Sequence, residues 1–115
     1  MPSPPLVTDD GPIDILHLRR MTLGDDSLER EVLAMFSAQA MGLVGALATS
    51  PSDAGALTHT LKGSARAIGA FGVAEAASSL EALIRDGGDP EKALAELSDA
   101  VTRARTAIDS ILQRS

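Results

Sequence analysis

A histidine, a lysine and a glycine stand close together in the run Thr58-His59-Thr60-Leu61-Lys62-Gly63-Ser64-Ala65. Histidine titrates at about pH 6.5, so near neutral pH its imidazole is largely an available nucleophile that can also take up charge. Lys62 and Gly63 follow His59 by three and four residues, which on a helix puts both beside it, with about 5–6 Å between Cβ positions. A nucleophile, a cation one turn away and a missing side chain next to both are what phosphoryl exchange on an imidazole requires.

Spacing assigns this run to a helix and His59 to its wet side. Leu57, Leu61, Ser64/Ala65 and Ile68 recur at the interval of a core-facing stripe. At about 100° per residue His59 lies roughly 200° from Leu57, nearly opposite. Gly55 and Ala56 fall one turn below it and Arg66 two turns above. The histidine is thus ringed by small or basic residues, a surface a partner can approach closely. A glycine inside a helix costs about 1 kcal/mol relative to alanine, so Gly63 asks for a reason beyond the fold. From Pro51 to Gly72 the only charges are Asp53, Lys62 and Arg66, a locally positive stretch suited to an acidic partner surface.

His59-Thr60-Leu61-Lys62-Gly63-Ser64 resembles the H-x-L-K-G-[SA] signature of histidine-containing phosphotransfer (HPt) domains of bacterial two-component phosphorelays. The likeness spans most of the chain: Ile68-Gly69-Ala70 resembles the segment after the family's histidine helix, and Leu80-Glu81 a Leu-Glu pair on the next. Gly24-Asp25-Asp26-Ser27-Leu28 and Phe36 resemble the entry into its first long helix. The resemblance implies that His59 attacks the aspartyl phosphate of a receiver domain, reversibly. Lys62, as an exposed point charge, would offset the transferring oxygens, and Gly63 would admit the partner's backbone. Gly55, Ala56 and Arg66 would line the docking surface. Phe36-Ser37-Ala38-Gln39 is similar to an F-x-x-Q stretch in which a glutamine from the neighbouring helix orients the histidine ring, giving Gln39 that role. Magnesium would belong to the receiver, since no acidic cluster in the sequence flanks His59, and no cofactor is expected on this chain. Partners would be receiver domains and a hybrid or sensor histidine kinase.

Composition narrows the alternatives. The 115 residues carry 44% hydrophobic side chains but only 2% aromatics and no cysteine, which favours packed helices and excludes disulfides and thiol chemistry. Two histidines far apart, His17 and His59, make a poor metal set. A net charge of −6 argues against nonspecific nucleic-acid binding. No apolar run approaches the roughly 18 residues of a membrane span, and the N-terminus lacks a secretory pattern. A cytoplasmic monomer is expected.

The elements that must position the site follow from periodicity and punctuation. Residues 1–11, with three prolines, read as a flexible leader, and residues 12–115 as one domain. A short helix from Ile13 to about Arg20 should lie across one end, with His17 in packing or at the surface. Asp26 and Glu29 suggest a capping box opening a helix to about Thr49, with Leu28, Val32, Met35/Phe36, Leu43 and Leu47 inward. Ser50-Pro51 should cap and start the His59 helix, which Gly69 should stop. Further helices are expected over 73–86, with Leu80, Leu83 and Ile84 inward, and from Asp89-Pro90 onward, with Leu94, Leu97, Val101, Ile108 and Leu112 inward. Phe36, Phe71 and the methionines should be core, and Ser64 a packing residue. These elements make an all-α fold, an antiparallel up-down four-helix bundle with a short extra N-terminal helix.

Three function classes fit such a chain. The first is a phosphorelay intermediate without autokinase activity, since there is no glycine-rich nucleotide loop and no length for an ATP-binding domain. The second is a hydrolytic enzyme using His59 as a base, disfavoured by the lack of a partner residue at readable spacing and of a pocket. The third is an interaction module on the same fold, or a transfer domain excised from a hybrid kinase.

Overall fold

Asp25 sets the first long boundary: its extended backbone (φ −78°, ψ 107°) lets its carboxylate accept the Leu28 N–H at 3.0 Å, satisfying one of the orphan donors of a helix start. A computed structural model describes residues 11–114. Its helices run in the order α1 (Ile15–Met21), α2 (Asp26–Leu47), α3 (Ala54–Ile68), α4 (Phe71–Arg85) and α5 (Glu91–Gln113). The leader expected over residues 1–11 lies, apart from Gly11, outside the described residues.

Helices α2 to α5 each pack on two neighbours, α2 on α3, α3 on α4, α4 on α5 and α5 back on α2, so the bundle closes into a ring. Short links between long helices force antiparallel neighbours. Leu33, Phe36, Ala40 and Leu47 from α2 meet Leu61, Ala65 and Ile68 from α3, Val73, Ala77 and Leu80 from α4, and Leu97, Val101, Ala104 and Ile108 from α5, all buried. The many alanines let the helices approach closely, which replaces the bulk that aromatic side chains supply elsewhere.

Several expected details change. The cap of α2 is Asp25 rather than Asp26. Glu29 closes no capping box: it turns inward, accepting from Thr22 Oγ1 at 3.1 Å with Arg19 Nε at 3.9 Å. Ser50 does not cap α3. Placed before a proline, which disfavours the right-handed helical region, it adopts φ +54°, and α3 starts three residues later than Pro51, after Asp53. Leu28, Met21, Met35, Met41 and Phe71 are exposed rather than core. Phe71 opens α4, where its ring meets the edge of His17, with centroids 5.1 Å apart.

Gly69 ends α3 at φ +87°, with the Ala70 N–H on Ala65 O at 2.8 Å and its own N–H on Arg66 O at 3.3 Å, a Schellman cap. A Cβ here would also stand 2.8 Å from the Asp14 carbonyl oxygen. Asp14 N–H donates to Gly69 O at 2.9 Å, and His17 Nε2 lies 3.2 Å from Ala67 O. So α1 is fastened across the C-terminal end of α3 and leaves the middle of that helix open.

Candidate functional site

The buried stripe of α3 is Thr58, Leu61, Ala65 and Ile68, with Leu57 only half-buried. Thr58 tolerates full burial because its hydroxyl donates to Ala54 O at 2.7 Å. The core direction is therefore turned from Leu57 toward Thr58, and His59 stands about 140° from its centre rather than 200°. The turn leans His59 toward α4.

There it meets a carboxylate. His59 Nδ1 lies 2.9 Å from Glu81 Oε2, and Lys62 Nζ donates to Glu81 Oε1 at 2.5 Å. One carboxylate thus uses its two oxygens on two different neighbours along α3. Bonds from Lys62 and, next, from His59 hold the Glu81 carboxyl below the ordinary carboxylate range. An ionised carboxylate only accepts, so the ring must donate through Nδ1–H. In the neutral ring this contact selects the Nδ1–H tautomer and leaves the lone pair on Nε2. The His59 side chain is 69% exposed, whereas Lys62 is 17% and Glu81 22% exposed. Lys62 is accordingly no exposed point charge; it lies along the α3–α4 seam with its head on Glu81.

The remaining predicted residues separate by side. Gly63 is exposed, and among the described residues nothing lies within 4 Å of where its Cβ would be, so no contact among them requires a glycine there. Ala56 and Arg66 are exposed on the same helix. Gly55 is half-buried; its Cβ would make an ordinary 3.8 Å contact with Ile84 Cγ2. All four positions lie on α3 with His59, three of them exposed and Gly55 turned toward α4. Gln39 does not join them. It is exposed on α2 in an apolar groove of about 370 Å³ with Val32, Met35, Phe36, Ser64, Ala67 and Ile68, on the other flank of α3 from the seam. Among the described residues no hydrogen bond links Gln39 to His59, and the ring-orienting contact comes from Glu81 on α4 instead. A single acid distant in sequence, Glu81, is brought beside His59 by the α3–α4 hairpin. Ser64, in the groove, is packing as anticipated.

Glu81 is the site residue that the local sequence reading missed. One turn on, Arg85 extends the seam toward the Gly55 end of α3, with its side chain 70% exposed and Nε 3.6 Å from Asp86 Oδ1. Among the described residues no group of three or more His, Cys, Asp or Glu side chains could hold a metal, and no described helix is long and apolar enough to cross a membrane.

The site is thus an exposed imidazole on the middle of a bundle helix, hydrogen-bonded through Nδ1 to a carboxylate of the next helix. The family model for the Hpt domain matches residues 31–110. The chain belongs to the Hpt domain family. The match runs from α2 through most of α5 and leaves α1 outside it. Comparisons with curated proteins and with solved structures returned no match. As an Hpt domain the protein is a phosphotransfer-related module, of a family that is not a family of kinases.

Proposed function

We propose that this protein relays a phosphoryl group between the aspartates of receiver domains through a phosphohistidine at His59. The observation that carries the reading is the Glu81 carboxylate shared between His59 Nδ1 and Lys62 Nζ. It holds the ring in the one tautomer whose Nε2 lone pair points away from the bundle's own partners. Attack by that lone pair on the phosphorus forms the N–P bond as the P–O bond to the receiver's aspartate breaks. The aspartate leaves as a carboxylate, and the Nδ1 proton stays where it is, against Glu81. Such transfer is governed by alignment and charge neutralisation. Lys62, anchored one turn from the ring, supplies a cation at a set place, and Gly63 leaves room beside it.

Gly55, Ala56 and Arg66 complete a small-and-basic surface against which an acidic receiver pocket would fit. Its magnesium would come with the receiver, and the partners in this reading are response-regulator receivers and a hybrid or sensor kinase in the cytoplasm. Incubation with a phosphorylated receiver tests the assignment. The adduct should be labile to acid and stable to base, absent in His59→Gln and retained in His17→Gln. Label surviving on the His59 variant would overturn it.

A further inference from the structure

We infer that the negative charge of Glu81 biases the exchange toward the phosphohistidine form of this protein. The inference rests on the carrier reading and adds to it a residue that weights the exchange toward the histidine side. When Nε2 attacks, the lone pair that forms the N–P bond leaves positive charge on a ring whose Nδ1 proton has not departed. That charge is spread over both nitrogens, 2.9 Å from Glu81 Oε2 on one side. A carboxylate there stabilises the charged ring; a neutral amide with its one carbonyl oxygen turned to Nδ1–H would hold the same tautomer without stabilising the charge. The receiver's aspartyl phosphate gains nothing from Glu81. The carboxylate therefore lowers one side of the equilibrium only, and the protein's differential interaction with the two states is what shifts it.

Lys62 does not cancel the effect. It takes Oε1, leaving Oε2 to the ring, and its ammonium still has two further N–H donors beyond the one given to Glu81. Hydrogen bonds to charged groups are roughly twice as strong as neutral ones, and the largely exposed ring moderates the gain. Replacing the charge alone should move the exchange constant on the order of fivefold toward the receiver.

The experiment equilibrates the purified protein with one purified receiver domain phosphorylated by acetyl phosphate, and reads the ratio of phosphohistidine to aspartyl phosphate. Nitrogen-15 NMR of the imidazole is recorded in parallel. Glu81→Gln should keep the Nδ1–H tautomer while the ratio falls about fivefold. Glu81→Asp keeps the charge and should remain within about twofold of the parent ratio. An unchanged ratio in Glu81→Gln, with normal adduct formation, overturns this inference and leaves the carrier reading intact. A fall in Glu81→Asp as deep as in Glu81→Gln overturns it too, since reach rather than charge would then decide. So does loss of the tautomer in Glu81→Gln accompanied by the same fall. No adduct on the parent protein overturns the carrier reading and this inference together.

Discussion

The two flanks of α3 are built from the same helix and behave as opposites. On the α4 side, three polar side chains, His59, Lys62 and Glu81, close on one another through two hydrogen bonds. On the α2 side, Gln39 and Ser64 lie in a groove otherwise lined by Val32, Met35, Phe36, Ala67 and Ile68. Both flanks are open to a partner, yet only one has its donors and acceptors arranged before a partner arrives. A charged group held in place needs no reorganisation when charge develops beside it, whereas an apolar groove offers area without alignment. In the proposed reading, chemistry belongs to the first flank and accommodation to the second. Substitutions on the seam should act on transfer, and those in the groove on little beyond local packing.

The largest effect is expected at Gly63, on the crest of α3 next to His59. Gly63→Gln should raise helix propensity by several tenths of a kcal/mol, and among the described residues nothing lies within 4 Å of where its Cβ would be. Melting temperature should rise slightly while transfer from a receiver falls steeply, by a factor of a hundred or so if a misplacement on the order of 1 Å results. Thermal melts paired with rapid-mixing transfer check this. A lowered melting temperature with normal transfer would make the glycine a packing device and erase the distinction between the flanks.

Next comes Lys62. Lys62→Ala should transfer tens of times more slowly, on the order of 2 kcal/mol of lost transition-state stabilisation. Lys62→Arg should recover part of that, because a planar fork does not reproduce a compact ammonium. The structure adds a second consequence, since Lys62 is only 17% exposed and bonded to Glu81. Glu81 has its folded-state carboxyl held below the ordinary range, chiefly by Lys62. A group depressed on folding contributes stability that is present above its unfolded value, near 4.5, and is lost as pH falls through the lower folded value. Removing Lys62 should therefore flatten the acid limb of a stability-against-pH curve below about pH 4.5, read by urea unfolding at a series of pH values. Parallel curves for parent and variant would mean that the ion pair does not couple to folding.

Much of this was legible in the sequence, and what was not has a common cause. Helix number, the stop at Gly69 and the exposure of His59, Ala56, Gly63 and Arg66 follow from period and punctuation, which are local properties. The ring's partner is non-local. It was still derivable, because the α3–α4 turn pivots at Gly69-Ala70: His59 stands eleven residues before Ala70 and Glu81 eleven after it, so an antiparallel hairpin sets them side by side. The same reflection about Ser50 places Gln39 opposite Leu61 rather than His59, and the groove it shares with Ser64 agrees. Resemblance to a glutamine-bearing pattern pointed to the wrong helix where hairpin register points to the right one. Boundaries fared worse where a capping residue had a competitor. Asp25 and Asp26 are chemically equal caps, and the choice fell to the residue whose backbone was extended. The exposed Met35, Met41 and Phe71 illustrate that an apolar side chain on a bundle helix need not face the core.

The smallest effect is expected in the groove. Gln39→Ala removes an exposed carboxamide that makes no hydrogen bond among the described residues, from a site on the flank of α3 away from Glu81. Helix propensity should rise by a few tenths of a kcal/mol, and the Nδ1–H tautomer of His59 should be unaltered in a nitrogen-15 spectrum, because its acceptor is on α4. Transfer should change by less than about twofold, the range of a surface substitution worth within 0.5 kcal/mol. The comparison with Glu81→Gln is the informative one: both replace or remove a carboxamide-sized group near α3, one on each flank. Should Gln39→Ala scramble the tautomer while Glu81→Gln does not shift the exchange ratio, the roles of the two flanks would have to be exchanged, and α2 rather than α4 would be the helix that orients the histidine.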